Sequence, residues 1–248
     1  MSSERVPDSD NYSETETGIA ARLSRGGNRV AESLHQMPPA WFGRDTVAVA
    51  RELVGKYLVR ELDGTLCTSR IVETEAYLES DPASHSHRGR SERCSVMFEA
   101  PGTFYVYRIY GVHHCLNVVT EPRGVGCAVL IRALEPLDQY KRLWFRRYPD
   151  RPVPQYDSLT LPENLRSITQ LTNGPGKLSK ALSITTQEFN GHRVNTSPLW
   201  IAAGEADPSR SRNESRTERS RRIGISQGTE RLWRFFESGN RFVSRRTT

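Results

Sequence analysis

Two strand-like runs, Tyr57 to Leu62 and Thr65 to Leu78, flank Asp63-Gly64, and that dipeptide restricts the fold more than any other stretch. Asp and Gly both tolerate the positive φ that a tight two-residue turn requires, so the chain is expected to double back here as a hairpin. Its second arm contains Arg70 to Tyr77, RIVETEAY. Successive side chains of a strand point to opposite faces, which puts Ile71, Glu73, Glu75 and Tyr77 on one face and Val72, Thr74 and Ala76 on the other. Glu is depleted in strands, and one face of a sheet is normally apolar. A face with two carboxylates and a ring is therefore either a solvated surface whose acids meet nearby arginines or the floor of a catalytic pocket.

Further along, Thr103 to Ile109 reads as a strand, Tyr110-Gly111 as a turn and His113 to Thr120 as the returning strand. Cys127 to Leu134 follows as a third strand after a turn at Pro122 to Gly126, so the three strands describe an antiparallel meander. Asp45 is placed to cap a helix whose apolar positions Val47, Ala50, Leu53 and Val54 have helical spacing, with Gly55 as its stop. Leu137 to Tyr148 and Leu161 to Leu171 also have helical periodicity, and Lys177 to Leu182 is a short helix after Gly174-Pro175-Gly176. The expected class is α+β: a single domain with a mostly antiparallel β-sheet core, hairpin plus meander, flanked by helices. Residues 1–36 read as a flexible N-terminal arm, and residues 37–248 as the domain, with a basic loop near 204–221 centred on Pro208 to Arg221.

At 248 residues the chain is long enough to bury a proper core. Apolar residues make up 36% of it, and no uninterrupted apolar run approaches the roughly eighteen residues of a membrane span. A soluble protein is expected, and the opening MSSERVPDSD lacks the apolar core of a secretory signal, which favours the cytoplasm, nucleoid or nucleus. Cys67, Cys94, Cys115 and Cys127 show no CxxC spacing, as suits reduced thiols. Residues 1 to 36 hold six acids and four arginines, so the net +6 of the chain becomes +8 on the remainder. Such a balance favours a polyanionic partner, nucleic acid foremost.

Candidate chemistry clusters in the same region. The loop Asp81 to Cys94, DPASHSHRGRSERC, carries His85, His87, Arg88, Arg90 and Arg93. No spacing among these histidines and His113-His114-Cys115 matches a zinc pattern, so no metal is expected, and a histidine stacking on a base is the more economical use of His85. No lysine lies between Leu58 and Leu134, which leaves a Schiff-base mechanism without a nucleophile. Phe104 and Tyr105 read as sheet packing. Tyr110, at a hairpin tip beside glycine, has little core to enter and suits an aromatic wedge of the kind that opens a duplex.

Taken together, RIVETEAYL, DPASHS, PGTFYVYRIYG, CLNVV, AVLIRALEP and NGPGKLSKAL, in this order, resemble the alkyladenine (3-methyladenine) DNA glycosylase family from about Trp41 to Arg245. The resemblance implies a base-excision-repair enzyme that flips an alkylated purine (3-methyladenine, 7-methylguanine, with hypoxanthine or ethenoadenine as further lesions) out of duplex DNA and hydrolyses its N-glycosidic bond, with no cofactor. It implies Glu75 as general base, Arg132 near the catalytic water and sugar, Tyr77, His85 and Tyr107 around the flipped base, Asn117 against normal guanine, and Tyr110 as the intercalating residue. On the residues alone, Asn117 could satisfy a strand end and Arg132 could pair with Glu73. The expected partner is double-stranded DNA with damaged purines, bound by a monomer that engages no membrane.

This chain departs from the family pattern at Cys94, where an Asn usually follows the Arg, and at His114, where an aromatic often follows the strand histidine. Both are expected to retune DNA contacts or pocket width rather than abolish chemistry. The rival readings are a non-catalytic damaged-DNA-binding protein, against which Glu75 argues, and a zinc hydrolase built on the histidines.

Overall fold

The computed structural model of the protein describes residues 34–153, 168–204 and 217–244. Ten antiparallel strands are found among them: β1 (His35–Gln36), β2 (Tyr57–Leu62), β3 (Thr65–Tyr77), β4 (Phe104–Ile109), β5 (His113–Val119), β6 (Ala128–Pro136), β7 (Asn195–Thr196), β8 (Leu199–Ala203), β9 (Thr217–Ser220) and β10 (Arg234–Glu237). Their order is β1-β8-β2-β3-β6-β5-β4, with β7 on β8 and the β9–β10 ribbon on β3. The helices are α1 (Thr46–Leu53), α2 (Tyr140–Arg147), α3 (Pro175–Ala181) and α4 (Thr186–Phe189), with 3-10 turns at Pro39–Phe42 and Glu92–Phe98. The expected α+β domain with its β2–β3 hairpin and β4–β5–β6 meander is what forms.

The sheet pivots on β3, whose thirteen residues exceed the usual strand length. Its first half pairs with β2 from Thr65 to Arg70, while Glu73 to Glu75 pair instead with β10. Along its other edge it pairs with β6 from Ser69 to Tyr77. Strand β3 is thus covered on both edges, which places its acids in the interior. The register with β6 slips at Val72 and slips back at Arg132, so each is an extra residue on its own strand. Alternation consequently fails there. Ile71, expected beside the acids, joins Val72 in the apolar core.

Helix α1 fixes the opposite face of β3. The Asp45 carboxylate accepts the Ala48 N–H at 2.7 Å, Val49, Ala50 and Leu53 are buried, and Thr74 Oγ1 donates to the Ala50 carbonyl at 2.7 Å. Gly55 takes φ +93° and donates to Ile71 O, turning the chain into the hairpin.

Three expected boundaries differ. Residues 1–33 of the anticipated arm lie outside the described residues, but His35–Gln36 pairs with β8 as a strand, because unsatisfied backbone at that edge finds a partner. Helix α2 begins at Tyr140 rather than Leu137 because Pro136 still belongs to β6 and Gln139 is left-handed at φ 49°. Of the expected basic loop, residues 205–216 lie outside the described residues and Thr217–Ser220 is strand β9, whose polar side chains are compatible with its pairing to β10 through the backbone. Residues 161–167 of the expected Leu161–Leu171 helix also lie outside the described residues.

Candidate active site

Glu75 lies on β3 with no exposed surface, and every contact of its carboxylate is a donor. Oε1 accepts the Ile223 backbone N–H at 2.7 Å, and Oε2 accepts the Tyr77 hydroxyl at 2.9 Å and Arg132 Nη1 at 3.1 Å. Burial raises the Glu75 carboxyl above its ordinary value, against the pull of Arg132, the Ile223 N–H and the Tyr77 hydroxyl. These donors keep the ionised form available while poor solvation makes it more basic. The Tyr77 hydroxyl is held protonated by burial and by this neighbouring carboxylate.

Arg132 reaches the acids because its strand bulges there. Its Nε donates to Glu73 at 3.0 Å, so one guanidinium spans both carboxylates. Glu73 also accepts Arg234 Nε at 2.7 Å and the Ser244 backbone N–H at 2.6 Å. The acids meet arginines, as the solvated reading expected, but both are fully buried, so the face they share is not a solvated one. Glu73 is held by Arg132, Arg234 and Ser244, whereas the partners of Glu75, namely Tyr77, Arg132 and Ile223, line a cavity.

That cavity, about 310 Å³, is lined by Tyr77, His85, Tyr107, Asn117, Arg132 and Ile223 among others, with Tyr110 at its edge. All five expected site residues other than the acid and the wedge therefore border one space of a size suited to a small ligand. The His85 ring meets Tyr107 edge-on, with centroids 4.6 Å apart. His85 Nδ1 lies 2.9 Å from the Tyr105 hydroxyl, which itself donates to the Arg93 carbonyl. A single hydroxyl proton cannot serve both, so Nδ1 carries the hydrogen and Nε2 is left as an acceptor. Burial, aided by Arg93, lowers the imidazole to about 4 and keeps it neutral.

Asn117 Nδ2 donates to the Tyr105 carbonyl at 3.0 Å, fixing its amide within the β4–β5 pair at the cavity wall. Tyr110 is 86% exposed, at the tip of that hairpin. The two departures from the family pattern lie elsewhere. Cys94 is buried, accepting the Ser91 N–H and donating to the Gly89 carbonyl, so it closes the turn before a 3-10 helix and does not face the cavity. His114 sits opposite Arg108 in the hairpin, with Nε2 lacking a hydrogen-bond partner.

Sequence reasoning missed the wall supplied by Ile223, Gly224 and Ile225 and the pairing of Arg222 with Asp81. The available signals were the short ordered stretch Ile223 to Ile225 and the acid that opens DPASHS. Among the described residues no group of three or more His, Cys, Asp or Glu side chains is arranged to hold a metal ion.

Residues 40–241 match the model of the methylpurine-DNA glycosylase family. A curated relative from Salinibacter ruber, named "Putative 3-methyladenine DNA glycosylase", is 45% identical over 222 residues, covering 85% of this chain and 97% of its own. Relatives of the same name from Methanoculleus marisnigri and Bacillus cereus are 42% and 40% identical, covering 85% of this chain and 99% and 100% of theirs. With a match of that extent spanning the cavity and every residue around it, the chain belongs to the methylpurine-DNA glycosylase family.

Proposed function

We propose that the protein is a DNA glycosylase that turns an alkylated purine, 3-methyladenine or 7-methylguanine foremost and hypoxanthine or ethenoadenine in addition, out of duplex DNA and hydrolyses its N-glycosidic bond with a water activated by Glu75. The observation that carries this reading is a buried carboxylate held by three donors, Tyr77, Arg132 and Ile223, that themselves line an aromatic cavity. An anomeric carbon is inaccessible within stacked DNA, so the nucleotide must leave the helix before attack. Tyr77, His85 and Tyr107 would then hold the base, and a cationic alkylated purine gains from the electron-rich faces of such rings.

In the reaction, water oxygen attacks C1′ and Glu75 takes its proton. The C1′–N bond breaks with its electron pair passing to the base, which discharges the positive charge of an alkylated purine without any added acid. Positive charge building on the sugar is stabilised by the same carboxylate. Arg132 prevents Glu73 and Glu75 from repelling one another and fixes the orientation of the reactive oxygen. Asn117 would oppose the exocyclic amino group of undamaged guanine, a specificity device that acts by steric rejection.

The test is release of methylated purines from alkylated duplex DNA by wild type and Glu75→Gln, with a chelator present. Wild type is expected to release base, and Glu75→Gln to lose on the order of 100-fold or more while still binding the duplex. Equal release by both proteins would remove Glu75 from the mechanism. Binding without release by either would leave a damage-binding protein.

A further inference from the structure

We propose that the buried Arg222–Asp81 ion pair is the positioning latch of the excision site, holding Glu75 and Tyr77 in register through the backbone of residues 222–225. This rests on the function proposed above. Neither partner has exposed side-chain surface. Arg222 Nη1 donates to Asp81 Oδ2 and to the Ala76 carbonyl, the latter at 2.9 Å, and Nη2 donates to Asp81 Oδ1 at 3.0 Å and to the Gly228 carbonyl at 3.3 Å. One guanidinium thus ties the end of β3, the start of the histidine loop and the 222–228 segment together.

The same guanidinium lies 4.7 Å from the Tyr77 ring centroid and 5.3 Å from that of Trp233, while Nε has no hydrogen-bond partner. Besides its pairing with Asp81, the guanidinium therefore also packs over the ring that borders the cavity. The next residue, Ile223, donates its N–H to Glu75 and accepts from Arg132 at 3.5 Å. Gly228 makes the arrangement sterically available: at φ +60°, a Cβ there would stand 2.8 Å from Asp81 Oδ1 and 3.2 Å from Arg222 Nη2. Three separated segments converge on this pair, and none of its atoms borders the cavity directly.

Loosening the latch withdraws the Ile223 N–H from Glu75. The groups that then remain around this carboxylate are Arg132 and Cys115 from the meander, and Glu73 and Tyr77 from β3, with Arg234 of β10 engaged on Glu73. Loss of a donor to the charged form favours protonation of Glu75, so the acid limb of the rate profile moves to higher pH. A role confined to general stability would leave that limb in place.

The experiment measures single-turnover release of methylated purines from alkylated duplex DNA between pH 5 and 9, with duplex affinity and thermal unfolding, for wild type, Arg222→Lys and the apolar pair Arg222→Met/Asp81→Leu. The conservative Lys variant keeps the charge but cannot fork across Asp81, Ala76 O and Gly228 O. The apolar pair replaces the buried ions without leaving one of them unpaired. Both variants are expected to bind duplex like wild type, to lose on the order of 100-fold in rate at neutral pH through misplacement of Glu75, and to recover part of that loss at high pH. A wild-type rate and profile in either folded variant overturns the latch, as does a uniform rate loss that tracks unfolding with no change of profile. Absence of release by wild type itself overturns the underlying function instead.

Discussion

His85 is the residue whose chemistry depends most on its neighbours. With Tyr105 accepting from Nδ1 and Arg93 close by, the imidazole stays neutral until about pH 4. A neutral ring can stack against a cationic purine, and a protonated ring would repel it. Its folded value lies below the ordinary one, so the neutral form is kept as pH falls through 6.5, where a free imidazole would charge, and is lost only near 4. Capture of alkylated duplex by the Glu75→Gln protein, in which excision and the Glu75 titration are both removed, is expected to hold constant from pH 8 to about 5 and to weaken towards 4. A fall already centred on pH 6.5 would show that the histidine is charged in the working range. Protein stability follows the same sign, declining with acid between these two values because the unfolded chain binds the proton first.

Among the elements, the β4–β5 hairpin asks for an explanation that packing does not give. Tyr110 and Gly111 both have positive φ, 52° and 71°, the pattern of the tight hairpin turn. Glycine adopts it freely, whereas tyrosine there costs about 1 kcal/mol, and an 86% exposed ring recovers little of this through burial. A strained, exposed aromatic beside the cavity fits a wedge that fills the gap left by a flipped nucleotide. Tyr110→Asn should therefore raise the unfolding free energy by about 0.5 kcal/mol, yet weaken capture of lesions in duplex more than in single strands. Unfolding by denaturant and paired binding measurements check both halves, and equal losses on the two DNA forms would argue against the wedge. The sequence made this turn legible, as it did Asp63-Gly64, because both depend on local backbone chemistry. It did not reveal that Arg132 bulges out to span Glu73 and Glu75, since a strict two-residue period allows no extra residue. Nor could it show Arg222, Ile223 and Arg234 closing on β3. Those contacts cross about 150 residues, and the order signals at Ile223 to Ile225 carry no sign of which strand they pack on.

Across the whole molecule, the positive charge divides into two populations that composition cannot separate. Arg60, Arg70, Arg132, Arg222 and Arg234 are buried and paired with carboxylates, so they are occupied in holding the fold and the site together. Arg88, Arg93 and Arg108 are exposed on the histidine loop and the β4–β5 hairpin, where they can meet phosphate. The two groups should respond to substitution in opposite ways. Arg108→Gln is expected to weaken duplex binding at low salt for damaged and undamaged DNA alike. It should also reduce the slope of log affinity against log salt by about one, because one fewer counterion is released, and leave the single-turnover rate at saturating protein unchanged. Arg132→Gln should leave the salt slope as it is, lose excision, and cost about 3–5 kcal/mol of stability, since Glu73 and Glu75 would share the interior without the cation between them. Salt titrations of affinity, thermal unfolding and single-turnover excision on these two variants separate the roles. An Arg132 variant that altered the salt slope would place that guanidinium on the phosphate backbone rather than between the two acids.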